Sequence, residues 1–482
     1  MRLVDSADPV AGSSVPPSIR LDDLLAATGA RLLGPTSITS FATAAVDSRN
    51  VVPGCCFVAL RGERTDGHGF AADAVRAGAT VLIIERPVEL PAGADVAVLQ
   101  VGDALMALQE MAAWWRARSG VRVVGITGST GKTIAKEIVA DVLSRTLRVL
   151  RNEGNLNSET GLPMTLLKLE PSHQVGVLEM SMYSEGEIAR LAEIARPEVG
   201  VVLAVHPTHL ERAGSLDAIA RAKAELPAAL PADGLAVLNF DDPRVRAMRD
   251  VTTAAVLTFG LGPDADVRAS EVESHGVDGT IFNVEAPWGR RRLRSATPGR
   301  HLVPHALAAA AVAQHFGVPL DEVGEALAAG SHAEHRMAVV EATAGATIID
   351  DTYNASPVSV AAALEFLGES PLAPGRARYA VLGDMLELGP GEEQLHREVG
   401  AMAAGVANAL VTVGERGRWI AEGARAAGLG RVTTVRDADE AVLAVERDLA
   451  PGVGDLLLVK ASRGIELDRL VGALVGQPAG HP

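Results

Sequence analysis

Apolar residues recur along this chain in two rhythms. Short continuous runs of β-branched and aliphatic residues alternate with longer segments whose apolar positions return every third or fourth residue. The first rhythm reads as buried strands and the second as amphipathic helices. Their alternation implies mostly parallel sheets covered by helices. Strands are predicted over Thr80–Glu85, Val121–Ile126, Gln174–Leu178, Val199–Val205, Ala346–Ile349, Tyr379–Leu382, Ala409–Val413 and Leu456–Val459. Helices are predicted over Leu21–Leu33, Ala71–Ala77, Asp103–Arg118 and Leu216–Leu226, with an alanine-rich one over Gly299–Val318. Val256–Leu293 reads as a smaller, strand-rich β insertion.

The pattern is densest between Val121 and Thr146. A buried strand runs into Gly128-Ser129-Thr130-Gly131, and Lys132 and Thr133 then open a helix with Ile134, Ile138, Val142 and Leu143 on its apolar stripe. Strand, glycine loop, Lys-Thr and helix is the layout of a phosphate-binding loop. Backbone N–H groups and the helix N-terminus attract anions, the lysine reaches the outer phosphates, and the hydroxyl suits Mg2+. The usual motif has a further glycine five residues before the second; that position is Ile126, so this is the shorter form.

Polar residues gather where strands end, the place where open α/β sheets bind ligands. Glu179 closes one strand and suits a metal, although a strand-terminal surface glutamate has the same pattern. His206-Pro207-Thr208-His209 closes another, and the helix after it carries Lys223. Further on, Asp350-Asp351-Thr-Tyr-Asn354, Gly383-Asp384-Met385 and Lys460-Ala-Ser462-Arg463-Gly464 follow three successive strands, which suggests one crevice. Asp47-Ser48-Arg49 pairs a hydroxyl with a fork-shaped cation suited to pyrophosphate or uracil; a satisfied surface loop is the competing reading. His301 and His305 share a helix face, but a metal there would need a ligand the sequence does not name.

Composition narrows the class. The 482 residues are 48% hydrophobic, enough for several globular domains. The net charge of -16 argues against a nucleic-acid binder, so an anionic ligand needs a local basic pocket. The only cysteines, Cys55 and Cys56, sit in an apolar run and read as core residues. No signal peptide and no apolar run of the roughly 18 residues a membrane span needs are found, which fits a reducing cytoplasm. Of 44 basic residues only five are lysine: Lys132, Lys136, Lys168, Lys223 and Lys460. Where lysine persists against such a bias, a primary amine can be the reason.

Together these motifs resemble the Mur ligase family, most closely its dipeptide-adding member, from about residue 20 to 475. The resemblance rests on Val46-Asp-Ser-Arg49 with Asp66-Gly-His68, Gly128 to Thr133, Asn155-Leu-Asn157, Glu179, His209-Leu210, Ala222-Lys223-Ala-Glu225, Asp350 to Pro357, Leu382-Gly-Asp-Met385 and Lys460 to Gly464. It implies three α/β domains after a flexible tail at 1–17. They are a small UDP-binding domain at 18–104, a central ATP-binding domain with a mostly parallel sheet at 105–331, and a Rossmann-like open sheet at 332–482.

The resemblance also implies chemistry. ATP phosphorylates the terminal carboxylate of UDP-N-acetylmuramoyl-tripeptide, and the amine of D-alanyl-D-alanine displaces phosphate. Thr133 and Glu179 would hold one Mg2+, Glu179 and His209 a second, and Lys223 would be carbamoylated by CO2 into a further ligand. Lys132 and the loop, with His305, Arg336 and Asp351, would bind ATP. Ser48 and Arg49 would hold UDP, and Asn354, Asp384, Lys460, Ser462 and Arg463 would form the second-substrate crevice. A cytoplasmic monomer is expected. The family's Gly-x-His-Asn-x-x-Asn reads Gly299-Arg-His301-Leu302-Val-Pro-His305 here, so the second asparagine, which usually reads adenine, is His305. A paralogous ligase with another amine or acid, and an inactive scaffold on the same fold, are the other readings.

Overall fold

The computed structural model describes residues 18–62, 65–207, 214–330 and 333–476. The tail expected at 1–17, His209 and Leu210, and the expected boundary at 331/332 lie outside them. The described chain divides into two compact units.

The first unit comprises the residues up to Val121 together with Glu159–Gln174. Its five-stranded sheet runs Arg31–Leu32, Ala97–Gln100, Ala79–Ile84, Cys55–Val58, Thr43–Ala45. All neighbours are parallel except the Arg31–Leu32 edge. Cys55 and Cys56 are buried free thiols in this sheet, as the apolar run implied. The helix expected over Leu21–Leu33 stops at Thr28, because Gly29 adopts a left-handed conformation at its C-cap, and Arg31–Leu32 turns back as a strand. Helix Ala104–Arg118, which the sequence places in the next domain, packs within this unit beside helices Leu21–Thr28 and Gly161–Leu166.

The second unit carries two sheets. The larger has nine strands in the order Gly289–Ser295, Thr280–Ala286, Val267–Ser274, Ala255–Gly260, Leu235–Asn239, Val199–Val202, Arg122–Thr127, Val175–Glu179, Val149–Arg151. Neighbours are parallel from Val149–Arg151 across to Val267–Ser274, and the last two strands add antiparallel. The segment read as a smaller β insertion is therefore the far side of this same sheet. The exposed edge strand Gly289–Ser295 carries four arginines, charges that discourage edge-to-edge pairing. Helix Lys132–Leu143 lies almost wholly buried against the sheet, covered by the alanine-rich helix Val303–His315, whose small side chains permit close approach.

The smaller sheet has six strands: Ala338–Glu341, Thr347–Asp350, Leu456–Lys460, Arg378–Gly383, Ala409–Val413, Val432–Val435. All pair in parallel except the first. Its two edge strands have no counterpart in the sequence reading. Val432–Val435 is only half-buried and Ala338–Glu341 alternates, so neither makes a continuous apolar run.

Candidate functional site

Strand Arg122–Thr127 lies between Val199–Val202 and Val175–Glu179, with chain connections leaving to opposite sides. That is a topological switch point, where loops beyond the strand ends part and leave a crevice. Register places Glu179 beside Ile126 and Val202 beside Thr127, so the glutamate and the segment after Val202 flank the glycine loop. The loop is tied down on one side by the Ser129 N–H to Ala204 O (2.8 Å) and by Ser129 Oγ to His206 O (2.9 Å). On the other, Thr127 Oγ1 donates to Met180 O at 2.9 Å. Gly131 then turns at φ 77° to start the helix, a conformation that favours glycine.

Here Thr133, Glu179, Asn157 and Lys132 converge. The Thr133 hydroxyl donates to Glu179 Oε2 at 2.7 Å, and Asn157 Nδ2 donates to Glu179 Oε1 at 2.6 Å. Glu179 is 2% exposed. Lys132 Nζ folds back onto Gly128 O at 2.9 Å. Burial lowers its pKa; Glu179 opposes that shift and the Arg336 guanidinium adds to it. Lys223 is 3% exposed and has no hydrogen bond or ion pair among the described residues. Burial first, and the Lys132 charge second, push its pKa well below that of an ordinary lysine.

A cavity of about 620 Å3 opens over the loop. Residues Ser129 to Thr133, Asn157 and Glu179 line it from the nine-stranded sheet, with His301 and His305. Arg336, Asp351, Tyr353, Asn354, Lys460, Ser462 and Arg463 line it from the six-stranded sheet. Within that second group Lys460 Nζ contacts Asp351 Oδ2 at 2.5 Å and Asn354 O at 2.8 Å. The Arg336 guanidinium stacks 3.8 Å from the Tyr353 ring centre, and its Nε is buried without a hydrogen-bond partner. Arg463 stands 5.7 Å from the same ring. Histidines 301 and 305 are both pushed down to about 4 by burial, and so are neutral at physiological pH.

Some sequence-named residues fall elsewhere. Asp384 does not line the cavity: its Oδ1 accepts the N–H groups of Arg416 (2.9 Å) and Gly417 (2.8 Å) at the start of helix Gly417–Ala426. Its backbone carbonyl still accepts the Ser462 N–H at 3.0 Å, so it braces the crevice from behind. In the first unit Arg49 is exposed and chelated by Asp47. Ser48 begins the short 3-10 turn that the Asp47 side chain caps. His68 is buried with both ring nitrogens engaged, by Asp66 Oδ1 (2.7 Å) and the Glu85 N–H (2.9 Å), and so holds a loop to a strand end. Two contributors were not singled out from sequence: Tyr353, inside the Asp350 to Asn354 run, and Asn152, whose side chain holds the backbone of Glu179.

Thr133 and Glu179 offer oxygen donors of the kind Mg2+ takes, side by side and facing the cavity, so a hard cation fits them. Among the described residues there is no cluster of three or more His, Cys, Asp or Glu side chains of metal-binding geometry, and His209 lies outside them.

A phosphate-binding loop at the switch point of one sheet, facing basic residues at the strand ends of another, defines a nucleotide-dependent α/β enzyme. Three family descriptions match in succession: the Mur ligase family catalytic domain over residues 42–116, the Mur ligase middle domain over 126–313 and the Mur ligase glutamate ligase domain over 335–463. The chain belongs to the Mur ligase family. Its relatives include the UDP-N-acetylmuramoyl-tripeptide–D-alanyl-D-alanine ligase of Mycobacterium tuberculosis, 38% identical over 90% of this chain and 92% of that protein. Among solved structures, MurF from Acinetobacter baumannii superposes with a TM-score of 0.86 at 31% identity, covering 96% of this chain and all of that one. The MurF ligase of Thermotoga maritima in complex with ADP gives 0.78 at 29%, covering 90% and 97%.

Proposed function

We propose that this chain uses ATP to join D-alanyl-D-alanine to the terminal carboxylate of UDP-N-acetylmuramoyl-tripeptide, in peptidoglycan precursor synthesis. The relatives carry that name over nearly their whole length, and the Thermotoga protein was solved with ADP. The observation that carries the reading on this chain is the Thr133–Glu179 contact at the mouth of the glycine loop, beside Lys132 and opposite Arg336 and Lys460.

The residues divide the work as follows. Loop N–H groups, the helix N-terminus and Lys132 hold the phosphates in line for attack by the substrate carboxylate. Arg336, whose Nε is unpartnered, takes negative charge from the other side. The carboxylate oxygen bonds to the γ-phosphorus as ADP leaves. The dipeptide amine then attacks the acyl carbon, phosphate departs, and the amine gives up a proton. Two Mg2+, held by Thr133, Glu179, His209 and a carbamate on Lys223, would neutralise phosphate charge. Lys223 suits that role because burial and the Lys132 charge depress its pKa, which raises the share of neutral amine, the form that adds to CO2 with loss of a proton. The cavity walls come from both sheets of the second unit, and with the substrates seated between them they would shield the acyl phosphate from water. Ser48 and Arg49 hold the UDP end, and Asn354, Lys460, Ser462 and Arg463 receive the dipeptide. Among the described residues no helix is long and apolar enough to cross a membrane; we place the enzyme in the cytoplasm as a monomer.

Phosphate release with ATP, Mg2+ and UDP-N-acetylmuramoyl-tripeptide tests this, with and without D-alanyl-D-alanine. Release should need both substrates and fall at least about 100-fold in Lys223→Ala, in the range expected when a group acting in the transition state is lost. Release with another amine but not with the dipeptide would move the assignment to a related ligase.

A further inference from the structure

Lys136 is the largest fully buried polar side chain among the described residues. It lies one helical turn after Lys132 and is 0% exposed. Its Nζ donates to Asn152 O at 2.5 Å and pairs with Glu137 Oε1 at 2.8 Å. Glu137 and Asp141 in turn hold Arg151, at 2.7 and 2.8 Å. A buried ion pair is weak evidence for stability, since an apolar side chain of similar volume usually serves as well. Methionine would fill this space, so the ammonium calls for another explanation.

The explanation is what Asn152 holds. Its Oδ1 accepts the Glu179 N–H at 3.0 Å, and its Nδ2 donates to Glu179 O (3.1 Å) and Leu156 O (2.9 Å). One side chain thus grips both backbone polar groups of Glu179 and the polar loop that presents Asn157. Asn157 Nδ2 in turn donates to Glu179 Oε1. The chain of contacts runs Lys136, Asn152, Glu179, Thr133, and returns to the helix that carries Lys132. It closes a ring around the carboxylate.

We propose that Lys136 is a positioning residue: through Asn152 it fixes the Glu179 carboxylate against Thr133, so that both oxygens face the cation that accompanies the nucleotide. This rests on the metal role given above to Thr133 and Glu179. Groups in this position behind a metal ligand typically change metal affinity by about 10–100-fold.

The test is ADP binding by the full-length protein, titrated by calorimetry over a range of Mg2+ concentrations, for wild type, Lys136→Met, Asn152→Ser and Arg151→Met. Melting temperature is followed in parallel. In wild type, Mg2+ should tighten ADP binding. In Lys136→Met the Mg2+ concentration for half-maximal tightening should rise about 10–100-fold with the metal-free ADP affinity unchanged. Asn152→Ser removes the side chain through which Lys136 acts and should give the same signature; if Lys136→Met does not fold, a wild-type response in Asn152→Ser overturns the proposal. Arg151→Met breaks only the outer part of the network, and should lower the melting temperature while leaving the Mg2+ response intact. A wild-type Mg2+ response in a folded Lys136→Met overturns the proposal, whatever Asn152→Ser gives. No Mg2+ response in wild type overturns the metal role beneath it, which is a different result.

Discussion

Gly131 shows how tightly single positions around the cavity are specified. A Cβ there would collide with the His305 imidazole, at a backbone φ of 77° that alanine adopts only with strain. Gly131→Ala should abolish nucleotide binding in calorimetry and lower the melting temperature, whereas Gly154→Ala, at positive φ but in open space, should only lower the latter. His335 gives a pH signature instead. Its hydrogen bond to Asp350 (2.7 Å) raises its pKa, with burial opposing. A raised folded-state pKa means the contact stabilises fully below the unfolded value of about 6.5 and is lost as pH rises through the folded value. The melting temperature of His335→Gln should therefore lie below wild type in mild acid and converge with it in alkali. A constant gap across that range would mean that the contact acts through packing alone. At this scale the sequence was legible where chemistry is written in side chains. Lys132, Thr133 and Glu179 stand out as residue types at strand and helix ends and meet at the cavity, while Lys223 stands out as a persistent lysine and lies buried within helix Leu216–Ala228, near enough for the Lys132 charge to depress its pKa. Asp384 looked the same in sequence but turns its carboxylate to a helix N-terminus, because rotamer choice leaves no trace in a motif.

At the scale of elements, the strands bordering the cavity were legible because burial on both faces makes their apolar runs continuous. The antiparallel end of the nine-stranded sheet was recognised as β but not as part of the central sheet, since alternating strands do not declare which sheet they join. Helix–helix contacts were invisible for a similar reason. Helices Glu392–Ala404 and Gly417–Ala426 meet through glycines on both sides: a Cβ on Gly400 would strike Ile420 O, and one on Gly423 would strike Arg397 O. Nothing in a single sequence distinguishes such a glycine from one in a turn. Gly400→Ala and Gly423→Ala should each destabilise by about 1–3 kcal/mol in urea unfolding, the usual cost of overpacking. The double variant should cost less than the sum, because the first substitution already parts the helices.

At the scale of the second unit, one cavity is walled by two sheets that otherwise have separate hydrogen-bond ladders. A nucleotide on the glycine loop therefore meets groups from both, and its binding energy is shared between them. Saturating ATP at about 100 times its Kd would add roughly 2.7 kcal/mol to stability. Hydrogen exchange can show where that stabilisation lands. With a slowly hydrolysed ATP analogue, amides of 128–134 should gain protection together with those of 350–356 and 458–464, strand-end segments of the six-stranded sheet. Arg336 is the test of the coupling. Its guanidinium lies on Tyr353 with Nε unpartnered, so it lines the cavity from the six-stranded side with no carboxylate partner among the described residues. Arg336→Met keeps the stacking bulk and removes the charge. In that variant protection should persist at the glycine loop and fall away at 350–356 and 458–464. If both sets stay protected, the two sheets are joined by their shared apolar core rather than through the nucleotide, and Arg336 has no part in drawing the second wall onto the phosphates.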